Sequence, residues 1–222
     1  MMIGLALVPL LLLAETPRWE LAAEPEGVKV YRRQVEGSDV REMRAIGLIN
    51  ATPKEVFDVI QDLDSYPKNM PYTAEAKVLT RSEDGKDVLF YSRLNTPMVA
   101  ERDYIIALKD ESDWKEGKGF YKVSWTAAPQ EQDSLMPEKK DVVRVRTNNG
   151  YWLLEPREDG KKTFATYYVY TVPRRLDPRV HHQPGQRYGG AQGVRFDQEG
   201  RDRQARCEEV KRASAGVWTR RL

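Results

Sequence analysis

Cysteine and histidine are nearly absent from this chain. Its 222 residues hold one Cys and two His, and all three (His181, His182 and Cys207) lie beyond Thr171. One cysteine excludes an intrachain disulfide. The first 171 residues therefore have no thiolate nucleophile, no imidazole base and no Cys/His metal set. A strong charge of one sign is also missing, since the formal net charge is +2. That balance is uneven. Residues 1–171 carry 24 Lys+Arg and 28 Asp+Glu, and residues 172–222 carry 12 and 6, an acidic body followed by a basic tail. Long apolar runs are limited to residues 3–14, IGLALVPLLLLA, too short to span a bilayer. The run reads as the h-region of a signal peptide occupying residues 1–14, although no Lys or Arg precedes it and Leu12 is large for its place before the cleavage site. Export to the periplasm or the medium is expected, with the cytoplasm as the location if residues 1–14 are not cleaved.

What is present is strand pattern, densest at residues 141–171. Asn149-Gly150 and Asp159-Gly160 are both type I′ turn signals between runs rich in Val, Tyr, Trp, Leu and Phe. Two-residue turns there predict three strands, at 142–148, 151–158 and 161–171. In that register Val145 opposes Leu154 and Thr147 opposes Trp152, then Leu154 opposes Ala165 and Trp152 opposes Tyr167. One face is apolar. The other pairs Arg144 with Glu155, as a solvated side would. Such a meander needs a cover over Val145, Trp152, Leu154 and Tyr167.

Further strands are expected at 27–35, 40–49, 74–81, 87–95, 101–109 and 120–126, with a polar loop at 127–140. Leu89, Tyr91, Arg93 and Asn95 share one side of their strand, as do Tyr104, Ile106 and Leu108, and Tyr121, Val123 and Trp125. Helical spacing intervenes once. Thr52 caps, Pro53 opens and Glu55 completes a capping box ahead of Val56, Phe57 and Ile60. A short helical or turn segment follows at 62–71, interrupted by Pro67. About nine strands and one or two short helices make an α+β domain over residues 15–171, built on a curved antiparallel sheet.

Residues 44–70, 89–108 (LFYSRLNTPMVAERDYIIAL) and 143–170 (VRVRTNNGYWLLEPREDGKKTFATYYVY) carry a family likeness. Its most specific parts are Arg102-Asp103-Tyr104 and the stretch from Trp152 to Pro156. In these the chain resembles the START (StAR-related lipid transfer) domains of the helix-grip superfamily, in a short bacterial form. The resemblance implies a sheet gripping a long C-terminal helix, with a lipid or sterol tunnel between them and no cofactor. It implies a non-catalytic carrier of a lipid or other hydrophobic ligand, with transient contact to a membrane surface and no nucleic acid. Ligand contacts are expected from Tyr91, Arg93, Asn95, Arg102, Tyr104, Trp125, Val145, Trp152 and Tyr167. The Glu and Arg that some sterol-binding members pair inside the tunnel are replaced here by Arg93 and Leu108, so a sterol-hydroxyl role does not carry over. Arg93 is free to meet an acidic head group or a carboxylate such as Glu101 or Asp103. The alternative is a cyclase or aromatase of the same superfamily, whose acid or base would have to come from Tyr91, Tyr104, Tyr167, Arg93 or Arg102.

Residues 172–222 break the likeness. They contain eleven Arg, one Lys, and neither Ile nor Met, and no apolar stripe of the length a grip helix needs. Read with synonymous bases and a one-base shift, the codons for residues 175–201 can spell Gly-Gly-Ser-Ile-Pro, Ile-Ile-Asn-Gln-Ala-Asn and Pro-Lys-Val-Phe-Asp-Ser-Ile-Lys-Arg-Ala-Val, in the family's order. The tail therefore reads as a disordered, out-of-frame translation that lacks the grip helix. Two competing readings are a basic nucleic-acid arm and a metal site at His181, His182 and Cys207, whose spacing fits no common site. Resequencing across the codon for Thr171 tests the shift. A chain with the frame restored there should retain more solvent-extractable lipid through purification than the chain as written, and equal retention would refute the idea.

Overall fold

The computed structural model describes residues 18–96 and 99–172. The expectations for the leader, the tail, His181, His182, Cys207 and the grip helix lie outside the described residues. Alternating apolar positions form β1 (Glu20–Ala23), β2 (Lys29–Gln34), β3 (Arg41–Ile49), β4 (Thr73–Arg81), β5 (Asp87–Leu94), β6 (Arg102–Asp110), β7 (Asp113–Lys115), β8 (Lys118–Ala127), β9 (Val143–Arg144), β10 (Thr147–Arg157) and β11 (Lys162–Val172). Between β3 and β4 come α1 (Pro53–Gln61), a 3-10 turn (Leu63–Ser65) and α2 (Tyr66–Asn69). The main sheet runs β1-β2-β3-β11-β10-β8-β6-β5-β4, with β7 paired to β8 and β9 to β6. Every pairing is antiparallel except β6 with β9. The fold is the expected START-like one.

The helix start follows its sequence signal. Glu55 N–H donates to Thr52 Oγ1 at 3.3 Å, and Thr52 N–H donates to Glu55 Oε2 at 2.9 Å. This capping box satisfies two donors that the first turn leaves without partners. Val56, Val59 and Ile60 then face inward, and α1 lies against β8, β10 and β11. Beneath it the sheet presents Ala45, Ile106, Val123, Trp152, Leu154, Ala165 and Tyr167, all buried.

The second turn signal holds and the first does not. β10 and β11 pair with Leu154 opposite Ala165 and Trp152 opposite Tyr167, closed by a loop in which Glu158, Asp159 and Gly160 all have positive φ. Asn149-Gly150 is no turn. Neither residue has the positive φ that a type I′ turn requires, and both lie inside β10, with Gly150 opposite Val169 on one side and Trp125 on the other. The glycine serves close approach instead. A Cβ there would stand 2.3 Å from Trp125 Cζ2 and 2.4 Å from Tyr168 O. As a consequence Val145 does not oppose Leu154, and Thr147 lies opposite Val172 rather than Trp152. Two short strands, β1 and β7, add to the expected set, and the 3-10 segment Gln130–Leu135 lies within the polar loop expected at 127–140.

Arg144 is likewise corrected. Instead of pairing with Glu155 in solvent, it is buried on the face of the sheet away from α1, where β9 sets it beside Asp103. Its Nε donates to Asp103 Oδ1 at 2.7 Å and its Nη2 to Oδ2 at 3.0 Å, a bidentate pair. The remaining donors reach Asp133 Oδ1 at 2.7 Å and the Met136 carbonyl at 2.9 Å, which ties residues 130–136 to the sheet. Side-chain exposures of 2% for Arg144 and 1% for Asp103 decide the energetics. Losing one partner strands a buried charge, so Arg144→Leu should lower stability by about 3–5 kcal/mol. In urea titrations the Asp103→Leu/Arg144→Leu double variant should cost less than the sum of the singles, and a single-variant loss below about 1 kcal/mol would contradict this account.

Candidate functional site

A cavity of about 80 Å³ lies between the short helices and the concave side of the sheet. Its roof is Ile60, Leu63, Tyr66 and Met70, and its floor is Phe90, Leu94, Tyr104, Ile106 and Leu108 from β5 and β6 with Val123, Trp125, Asn148, Trp152 and Tyr167 from β8, β10 and β11. Pro71 and Thr73 close one end. The roof is short because Met70, ahead of Pro71, is extended and ends α2 after a single turn, and the Tyr66 hydroxyl holds it by donating to the Ile60 carbonyl at 2.8 Å.

The floor is aromatic. Trp152 and Tyr167 rings sit 4.6 Å apart between centroids and Trp125 and Tyr167 5.8 Å apart, while Tyr66 meets Phe90 edge-on at 5.3 Å. Asn148 supplies the polar anchor. Its Oδ1 accepts from Trp125 Nε1 and from Thr171 Oγ1, both at 3.1 Å, which fixes the indole plane over Gly150. Burial pushes the phenols of Tyr66 and Tyr104 above their ordinary values.

Of the expected contact residues, Tyr104, Trp125, Trp152 and Tyr167 line the cavity. Arg102 belongs to the same face of β6 as Tyr104, two residues earlier and opposite Leu94. Tyr91 and Arg93 do not line the cavity. Tyr91 lies opposite Ile105 and Arg93 opposite Asp103, so both point to the other side of the sheet, and Phe90 and Leu94 take the cavity side of β5. There the Tyr91 hydroxyl donates to Asp103 Oδ2 at 3.3 Å, and Arg93 bridges Glu75, at 3.0 Å, and Glu101. Asn95 donates its backbone N–H to the Tyr72 carbonyl at 2.9 Å, and Val145 donates its own to Asp103 O at 2.8 Å. Neither lines the cavity.

Sequence reasoning missed Phe90, Leu94, Leu63, Tyr66, Met70 and Asn148. The Tyr66-Pro67 step after a capped helix is a usable signal for the roof. Asn148 had none, because its neighbours read as a turn. Among the described residues no group of His, Cys, Asp or Glu is arranged to hold a metal, and no helix is long and apolar enough to cross a membrane.

Known proteins resemble this chain over the same region. The family model described as polyketide cyclase / dehydrase and lipid transport matches residues 49–185. An uncharacterized protein of Pseudomonas aeruginosa is 32% identical over 156 residues, covering 70% of this chain and 72% of its own. Phosphatidylcholine transfer protein of Mus musculus is 27% identical over 156 residues, 68% of each chain. The crystal structure of a STAR-related lipid transfer protein from Xanthomonas axonopodis superposes with a TM-score of 0.60 at 30% identity, covering 70% of this chain and 82% of that one.

Trp152 is 5% exposed and in contact with Tyr167, so Trp152→Ala should cost about 3–5 kcal/mol in urea denaturation. A loss under about 1 kcal/mol would mean that the floor is not packed.

Proposed function

Because the chain belongs to the polyketide cyclase / dehydrase and lipid transport family of START-like, helix-grip proteins, we propose that it is a non-catalytic carrier that holds the apolar part of a lipid or similar amphiphile against Trp125, Trp152 and Tyr167. The observation that carries this reading is the make-up of the cavity. Among the described residues its lining contains no His, Asp, Glu, Lys or Arg, and the two phenols that burial raises, Tyr66 and Tyr104, are poor bases near neutral pH. A cyclase would need an acid or base there. The carboxylates nearest Arg93, Glu75 and Glu101, are each one-third exposed and on the far side of the sheet, which also favours a carrier.

The size of the cavity bears on mechanism. At about 80 Å³ it is well below the roughly 300–1,000 Å³ that takes a drug-sized ligand. Loading a lipid therefore requires part of the wall to move. The roof segment Leu63–Met70, two short helical turns without a side-chain cap, is the wall we propose moves.

Two tryptophans in the floor make the reading testable. A phosphatidylcholine with brominated acyl chains should quench the emission of Trp125 and Trp152 on binding, because heavy-atom quenching needs contact. Replacing both by Phe should remove most of that quenching while Trp19 and Trp114 still emit. Quenching that survives in the double variant, or none in the parent chain, would refute the assignment.

A further inference from the structure

We propose that the amphiphile carries a single anionic end group, a carboxylate or a phosphate, and that the Arg102 guanidinium receives it at the end of the cavity closed by Pro71 and Thr73. This rests on the carrier reading above and adds the class of the ligand. The placement comes from β-strand periodicity. Tyr104, Ile106 and Leu108 line the cavity in alternate positions along β6, and Arg102 is the next residue in that row. Across the ladder it lies opposite Leu94, which in turn lies opposite Thr73, and both of those line the cavity.

The charge of Arg102 has no counterpart among the described residues. Arg93 is paired with Glu75 and Glu101, and Arg144 with Asp103 and Asp133. Arg102 makes no ion pair among the described residues. One Nη donates to the Ala100 carbonyl at 3.2 Å, and its Nε is buried without a partner. Burial with no carboxylate beside it pushes this guanidinium below its ordinary value. A half-buried cation kept in this state is costly unless something supplies an anion. Its planar fork matches a carboxylate or phosphate with two parallel hydrogen bonds. One step deeper on the same face, the buried Ser92 hydroxyl lies opposite Tyr104 and faces its phenol. The apolar floor and a cationic end thus describe the two halves of one amphiphile.

The test uses the full 222-residue chain with cis-parinaric acid and its methyl ester as fluorescent probes, which share one apolar chain and differ in charge. The parent chain should bind the acid at least about ten-fold more tightly than the ester at pH 8. Arg102→Gln should bring the acid down to the level of the ester and leave the ester unchanged. Arg157→Gln, an exposed position in the β10–β11 hairpin, should keep the parent's preference. Lysophosphatidate should displace the acid from the parent chain and do so less well from Arg102→Gln. If inorganic phosphate displaces the acid as effectively as lysophosphatidate does, the site takes a free anion and the amphiphile proposal falls. If both probes bind the parent equally, the anionic class is overturned and the carrier reading stands. If neither binds, both fail. The parent's acid-to-ester ratio decides the matter even if Arg102→Gln does not fold.

Discussion

The close approach of Trp125 to the backbone at Gly150 is the constraint on which the cavity depends. No other residue fits there, since a Cβ would meet both the indole and the Tyr168 carbonyl. With the indole seated on the strand and held by Asn148 Oδ1, β10 continues straight through Asn149 and Gly150 and serves β8 and β11 at once. That continuity brings Trp125, Trp152 and Tyr167 together as one aromatic floor. Had the chain turned at Gly150, the strand carrying Trp152 would have begun there, and Asn148 could not have reached the indole from within it.

Charge is sorted between the two sides of the sheet. On the side away from α1, arginines are matched to carboxylates: Arg144 to Asp103 in a buried bidentate pair, Arg93 to Glu75 and Glu101, and Lys139 to Glu75 at 2.6 Å. The hydrogen bonds from Lys139 and then Arg93, against some opposing burial, hold the Glu75 carboxyl below its usual range. These contacts tie residues 133–139 to β4 and β9, while Arg44, also on that side, faces the rings of Trp19 and Tyr31. On the cavity side the floor is apolar apart from Asn148, and Arg102, next in the row of Tyr104, makes no ion pair among the described residues. The same strand, β6, therefore presents a matched acid at Asp103 and an unmatched base at Arg102 to opposite sides, one residue apart.

Several elements were legible from local chemistry. The Thr52-Pro53-Glu55 box placed α1, Asp159-Gly160 set the register of β10 against β11, and alternation in β6 and β8 identified Tyr104, Ile106, Leu108, Val123 and Trp125 as one face. The two sides of β5 were not legible. Tyr91-x-Arg93 and Phe90-x-Ser92 are both believable inward rows, because a fully buried strand carries apolar residues on both sides and alternation loses its meaning.

The sequence by itself determined what is local: the capped helix, the second hairpin, the strand count within two, and the START-like likeness spread over its strands. Short-range sterics and hydrogen bonds act within a few residues, so a single chain segment records them. Tertiary structure alone decided which reading of Asn149-Gly150 applies, where Arg144 goes and which face of β5 meets the cavity. Each depends on a residue far away in sequence: Trp125 for Gly150, Asp103 for Arg144, and, for Tyr91, Asp103 beside its hydroxyl and Lys139 over its ring. A turn signal states only that a turn is affordable there, and packing against a distant indole costs the chain less than leaving that indole uncovered.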